Sequence, residues 1–103
     1  MKDNLLKIIN NYGVRNQLKK IHEEYFELDE AIMTYQFSRS FNDRFLVANI
    51  AEEISDVMVM LKQFQYKFNI SDEEILHIMN SKIDRQLERI EVENEEIIWV
   101  VWI

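Results

Sequence analysis

Proline and cysteine are absent from this 103-residue chain, and glycine occurs once, at Gly13. With so few residues that interrupt helices, long helices are favoured over a many-turned β architecture. Without cysteine there are no disulfides and no thiolate metal site, in keeping with a reducing compartment. Long hydrophobic runs are missing too. The longest, Ile97 to Ile103, falls far short of the roughly 20 residues that cross a bilayer. Met1 to Asn10 is too polar for a signal peptide, so a cytoplasmic protein away from the membrane is expected. Basic residues are outnumbered, 12 against 19 acidic, and the net charge of -7 opposes binding to a nucleic-acid polymer. A single nucleotide stays compatible with that charge, because a metal ion can bridge its phosphates to carboxylates.

Hydrophobic residues are plentiful, at 48%, which is too many for a disordered chain and enough for one packed domain. Their spacing predicts four helices. A short first helix, from about Asp3 to Asn11, carries Leu5, Leu6, Ile8 and Ile9 and stops near Gly13. A second runs from Val14 to Phe37 with a stripe at Val14, Leu18, Ile21, Tyr25, Leu28, Ile32 and Tyr35. A turn over Ser38 to Asp43 follows, with Asn42 or Asp43 available as a cap. The third helix, about Arg44 to Phe68, has a stripe at Leu46, Ile50, Ile54, Val57, Leu61, Phe64 and Phe68. The fourth opens on the capping box Ser71-Asp72-Glu73-Glu74 and continues to about Asn94. The expected fold is therefore all-α: an antiparallel bundle of about four helices over residues 1–94. Residues 95–103 form a short hydrophobic tail. β-Branched and aromatic residues dominate Ile97 to Ile103, which favours a strand or extended arm packed on the bundle or at a subunit interface.

Two acidic motifs carry the chemistry: Glu23-Glu24-Tyr25-Phe26-Glu27 in the second helix and Glu53-Ile54-Ser55-Asp56 in the third. Residues three apart share one helix face, so each motif holds two carboxylates that repel one another unless a hard divalent cation joins them. The motifs also lie level. In an antiparallel hairpin turning near Ser40, each pair has its midpoint about 14.5 residues from the turn, and equal rise puts them at one height. The same reasoning about a turn near Ile70 brings Arg85 to that height. Lys82, Arg85 and Arg89, spaced three and four apart, make a basic strip suited to phosphate oxygens. A blander reading competes at each point. An E-E-x-x-E string usually marks a solvated face in a Glu-rich helix, and the basic strip can pair with Glu88, Glu91 and Glu93. The level alignment of four carboxylates favours the metal.

The order E-E-x-x-E, a spacer of about 25 residues and E-x-x-D resembles the MazG-like all-α nucleoside triphosphate pyrophosphohydrolases, over roughly Val14 to Ile90. The resemblance implies Mg²⁺, with Mn²⁺ as a substitute, held by Glu24, Glu27, Glu53 and Asp56. It gives Glu23 the place of an additional carboxylate that reaches a second metal or orients water. Lys82 and Arg85 fall at phosphate-contacting positions. It further implies hydrolysis of a nucleoside triphosphate to the monophosphate and pyrophosphate, by a homodimer or homotetramer. The tail from Glu95 onward matches no part of that pattern.

Two other readings are open. A di-iron bundle needs a Glu-x-x-His motif on two helices; Glu74-Ile75-Leu76-His77 offers one, but lysine stands three before His22. A non-catalytic helical interaction module accounts for the small size and the hydrophobic tail, though it has no reason to assemble four level carboxylates. Met33, Met58, Met60 and Met79 read as core filler. Tyr12, Tyr35 and Phe41 are able to stack on a base, with packing the commoner role.

Overall fold

The computed structural model describes residues 1–38 and 43–102, those beyond 96 by their backbone alone. It contains four helices and, among the described residues, no strand: α1 (Lys2–Tyr12), α2 (Val14–Phe37), α3 (Arg44–Lys67) and α4 (Asp72–Trp102). Local chemistry accounts for the boundaries. Gly13 adopts φ 89°, a backbone state that side chains disfavour, and its N–H still closes α1 on the Ile9 carbonyl at 2.8 Å. The chain thus turns sharply from α1 into α2 at its only glycine. Ser38 is extended and ends α2, while Asp43 caps α3 by accepting from the Leu46 N–H at 3.4 Å. At the far end of α3 the chain leaves through Asn69, held at φ 57°, where asparagine is among the better-tolerated residues. Ser71 then caps α4 through the Glu74 N–H at 3.1 Å, with Asp72, Glu73 and Glu74 set against the positive end of the helix. The turn expected around Ser40, and the alternative cap Asn42, lie outside the described residues.

By internal contacts the chain falls into two units, Met1–Asn69 and Ile70–Ile103. In the first, α2 and α3 make the most extensive contact, and α1 packs on both. The α2–α3 pair is antiparallel, because Gln17 meets Gln63 while Glu24 and Glu27 meet Glu53 and Asp56. Leu5 and Ile9 of α1, Ala31 of α2 and Met60 of α3 are its buried apolar residues. The second unit is α4, a single amphipathic helix.

Two expectations are corrected. The stripe read on α2 packs along one edge only: Val14, Ile21 and Leu28 are half-buried beside the seam. Leu18, Tyr25, Ile32 and Tyr35 are all exposed, Tyr25 at 64%, and the buried column is Gln17, Glu24 and Ala31. Those three are seven residues apart, two helical turns, so they line one narrow seam beside the apolar stripe. On α3 Leu46, Ile50, Val57 and Phe64 of the stripe are likewise half-buried, Ile54, Leu61 and Phe68 are exposed, and Met60, Gln63 and Gln65 are the buried residues. The second correction concerns the tail: α4 runs unbroken to Trp102, and no strand forms over residues 97–102. Extending an existing helix adds a hydrogen bond for each residue fixed, and β-branched residues cost it only tenths of a kcal/mol each, roughly 0.7 at most. With neither proline nor glycine after Gly13, nothing stops α4 at Asn94. Among the described residues, no helix is long and apolar enough to cross a membrane.

Candidate metal centre

The α2–α3 seam is polar at its middle. Glu24 and Glu27 from α2 and Glu53 and Asp56 from α3 each direct one carboxylate oxygen to a common point, and these oxygens all lie within 4.8 Å of one another. Octahedral Mg²⁺ holds its oxygens at about 2.0–2.1 Å, so opposite ligands stand about 4.2 Å apart. The spacing of the four oxygens is thus of the order that one such ion spans. The donor set, oxygen only and anionic, suits a hard cation such as Mg²⁺ or Mn²⁺ rather than a soft one.

Burial sharpens the point. Glu24 is only 8% exposed, Glu53 is half-buried, and Glu27 and Asp56 open to solvent. Glu24 Oε2 and Glu53 Oε2 are both buried and make no hydrogen bond. A buried carboxylate oxygen without a donor is costly, and two of them side by side on facing helices compound the cost. Burial, followed by the charges of Glu27, Asp56 and Glu24, raises the Glu53 pKa above its ordinary value of 4.5. A divalent cation at the point of convergence would satisfy both orphaned oxygens and cancel that repulsion. The residues present fit such an ion.

Beside the quartet lies a cleft of about 640 Å³, bounded by α1, α2 and α3. Glu23, Glu24 and Asp56 form its acidic wall; Ile8 and Tyr12 of α1 and Val59 and Met60 of α3 supply apolar surface. The Gly13 corner is held by Asn16, whose Nδ2 donates to the Tyr12 carbonyl at 2.7 Å and which also lines the cleft. A pair of buried amides also lines it: Gln17 Nε2 donates to Gln63 Oε1 at 2.7 Å. Lys20 stands over the acidic wall, with Nζ 3.3 Å from Glu24 Oε1 and 3.4 Å from Glu23 Oε2. These two partners, Glu24 first, raise the pKa of the lysine, so its charge is secure at neutral pH.

The four carboxylates read as metal ligands thus converge. Glu23 does not join them; it is exposed on the cleft side, engaged by Lys20. Lys82, Arg85 and Arg89 lie on α4, in the second unit. Neither His22, on α2, nor His77, on α4, is among the four converging residues. Of the aromatic residues that can stack on a base, Tyr12 lines the cleft, Tyr35 is exposed elsewhere on α2, and Phe41 lies outside the described residues. Lys20, Gln17 and Gln63 are the residues of this region that the sequence does not single out. A signal was there for two of them: Lys20 is four residues before Glu24 and Gln17 seven before it, on one helix face.

The chain matches no known family model, no curated protein and no solved structure.

Proposed function

We propose that this protein is a Mg²⁺-dependent nucleoside triphosphate pyrophosphohydrolase, with Glu24, Glu27, Glu53 and Asp56 as the metal ligands. The observation that carries the reading is the convergence of these four carboxylates, two with buried and unpartnered oxygens, on the edge of a cleft. Pockets for drug-sized ligands measure about 300–1,000 Å³, and at about 640 Å³ the cleft has room for the nucleoside part of a nucleotide. Its acidic wall lies at the end where triphosphate charge would need a cation. The resemblance in motif order to the MazG-like enzymes supports the same reading.

Bound metal would neutralise triphosphate charge and make the α-phosphorus more electrophilic. The chain's own residues do the rest. Water adds its oxygen to the α-phosphorus, the bond from that phosphorus to the bridging oxygen breaks, and pyrophosphate leaves with the bonding pair. To Glu23, exposed and lining the cleft beside Glu24, this reading gives the orientation of that water. Tyr12, which lines the cleft, offers a ring to the base. Incubation with a panel of common and modified nucleoside triphosphates in Mg²⁺, followed by chromatography, tests the reading. Monophosphate and pyrophosphate in equal amounts are expected from at least one of them. Their absence throughout would leave a non-catalytic helical interaction module as the better account.

The same reading includes a homo-oligomer of two or four chains. Its support is apolar surface on the first unit, where Phe26, Phe45 and Phe68 are each more than 60% exposed. Light scattering at micromolar concentration is expected to give a mass of at least two chains, and a single-chain mass would remove this part of the proposal.

A further inference from the structure

Lys20 belongs to two arrangements at once. Its ammonium pairs with Glu24 and Glu23, and its side chain, 49% exposed, borders the cleft that Glu24 and Asp56 also line. Glu24 is the most buried of the four converging carboxylates. One of its oxygens is taken by the lysine, and the other has no partner. A dication bound by Glu24 and an ammonium 3.3 Å from the same carboxylate repel each other, so the two compete for one charge. A lysine displaced from Glu24 needs another anion, and its half-exposed, flexible stem can swing into the cleft to find one.

We propose that Lys20 is a phosphate-contacting residue kept on Glu24 and Glu23 in the metal-free protein and transferred to substrate phosphate oxygens when a divalent cation takes over Glu24. The proposal rests on the reading that the quartet holds a cation and the cleft a nucleotide, and it adds the residue that couples the two. Lys20 acts as a placeholder: it lowers the repulsion among the carboxylates before the metal arrives, and it holds the phosphates afterwards.

Removing the lysine should therefore have effects of opposite sign. Without its competitor, Mn²⁺ alone should bind Lys20→Met about two- to fivefold more tightly than the unaltered protein, the range expected for loss of one partly exposed ion pair. Inorganic tripolyphosphate, added to protein saturated with Mn²⁺, should bind Lys20→Met about tenfold more weakly, as for loss of one charged hydrogen bond. Lys20→Arg should restore the second effect. Lys19→Met is the control, because Lys19 lines the same cleft and removes the same charge but makes no ion pair with the quartet among the described residues. It should change both affinities less than Lys20→Met does.

Electron paramagnetic resonance of free Mn²⁺ reads the first affinity and titration calorimetry the second, with circular dichroism to show that each variant folds. Tighter Mn²⁺ and weaker tripolyphosphate in Lys20→Met, with Lys19→Met closer to the unaltered protein, is the expected result. Equal Mn²⁺ affinity in the two methionine variants, or equal tripolyphosphate affinity with and without Lys20, would overturn the role of Lys20 and leave the metal centre standing. Failure of the unaltered protein to bind Mn²⁺ at all would overturn both.

Discussion

Two levels of the α2–α3 seam, two helical turns apart, solve the same problem in different ways. Both bury polar side chains between the helices. At one level Gln17 Nε2 donates to Gln63 Oε1 at 2.7 Å, and Gln63 Nε2 in turn donates to Met60 Sδ at 3.6 Å, so neither amide has a buried polar atom left without a partner. At the other, Glu24 and Glu53 face one another with an orphaned oxygen each. An amide has both donors and acceptors, and a pair of amides can close on itself; a carboxylate pair has acceptors only. The glutamine level is complete as built, whereas the glutamate level requires something from outside the chain. That contrast separates polar groups that hold a seam together from polar groups that await a ligand.

The largest effect should come from removing one ligand at the incomplete level. Asp56→Asn keeps the shape of the side chain and takes away its charge. It should lower turnover by on the order of a hundred- to a thousandfold with little change in helical circular dichroism, since Asp56 is exposed and fills no core volume. Retained turnover would mean that the reaction does not pass through this cluster. The same comparison predicts how the protein responds to metal. At a hundredfold excess over its dissociation constant, a cation that binds only the folded state adds about 2.7 kcal/mol, which in a domain of this size raises the thermal midpoint by roughly 10 °C or more. Glu53→Gln should lose most of that shift. Calorimetry that finds the same midpoint with and without excess Mg²⁺ would make the glutamate level as self-contained as the glutamine one.

The glutamine level should respond in stability alone. Gln17→Ala leaves Gln63 Oε1 without its donor at a position 1% exposed, a loss of about 1–3 kcal/mol. Replacing both amides, with Gln17→Leu and Gln63→Leu, should recover much of that loss, because no buried polar group is then stranded. In neither variant should the metal-dependent rise in midpoint disappear. Urea titrations with and without Mg²⁺ measure both quantities, and a glutamine variant that cannot respond to metal would erase the distinction between the levels.

How much of this was legible in advance follows from which physics acts locally. The helix ends could be read because single residues set them: Gly13 by its backbone freedom, Asp43 and Ser71 by their caps. The quartet could be read because rise per residue is constant, so equal distance from a turn means equal height whatever the side chains are. Rotation about the helix axis carries no such rule. Apolar residues on α2 cover a face wider than one seam, and only packing against α3 selects Gln17, Glu24 and Ala31 over Leu18, Tyr25 and Ile32. The tail departs from its strand preference because the established helix preceding it extends through Trp102. Lys20 was obscured by its type: in a charged helix, a lysine four residues before a glutamate ordinarily marks a solvated pair.

The smallest predicted effect concerns Glu53 in the protein freed of metal. Its neighbours and its burial raise its pKa above 4.5, so the folded chain holds that proton more tightly than the unfolded chain does. Stability from this group is therefore greatest below the ordinary glutamate value. It falls as pH rises from there through the raised value, and above that the cost of the charged form is fully present. Glu53→Gln cannot ionise, and without metal it should melt above the unaltered protein at neutral pH, by less than the metal shift itself. The difference should shrink as pH is lowered towards 4.5. Gln17→Ala, acting through uncharged amides, should show no such convergence with pH. Melting curves in EDTA across this range decide the matter. If Glu53→Gln melts below the unaltered protein at neutral pH, the glutamate level is held together by its own contacts and needs no cation.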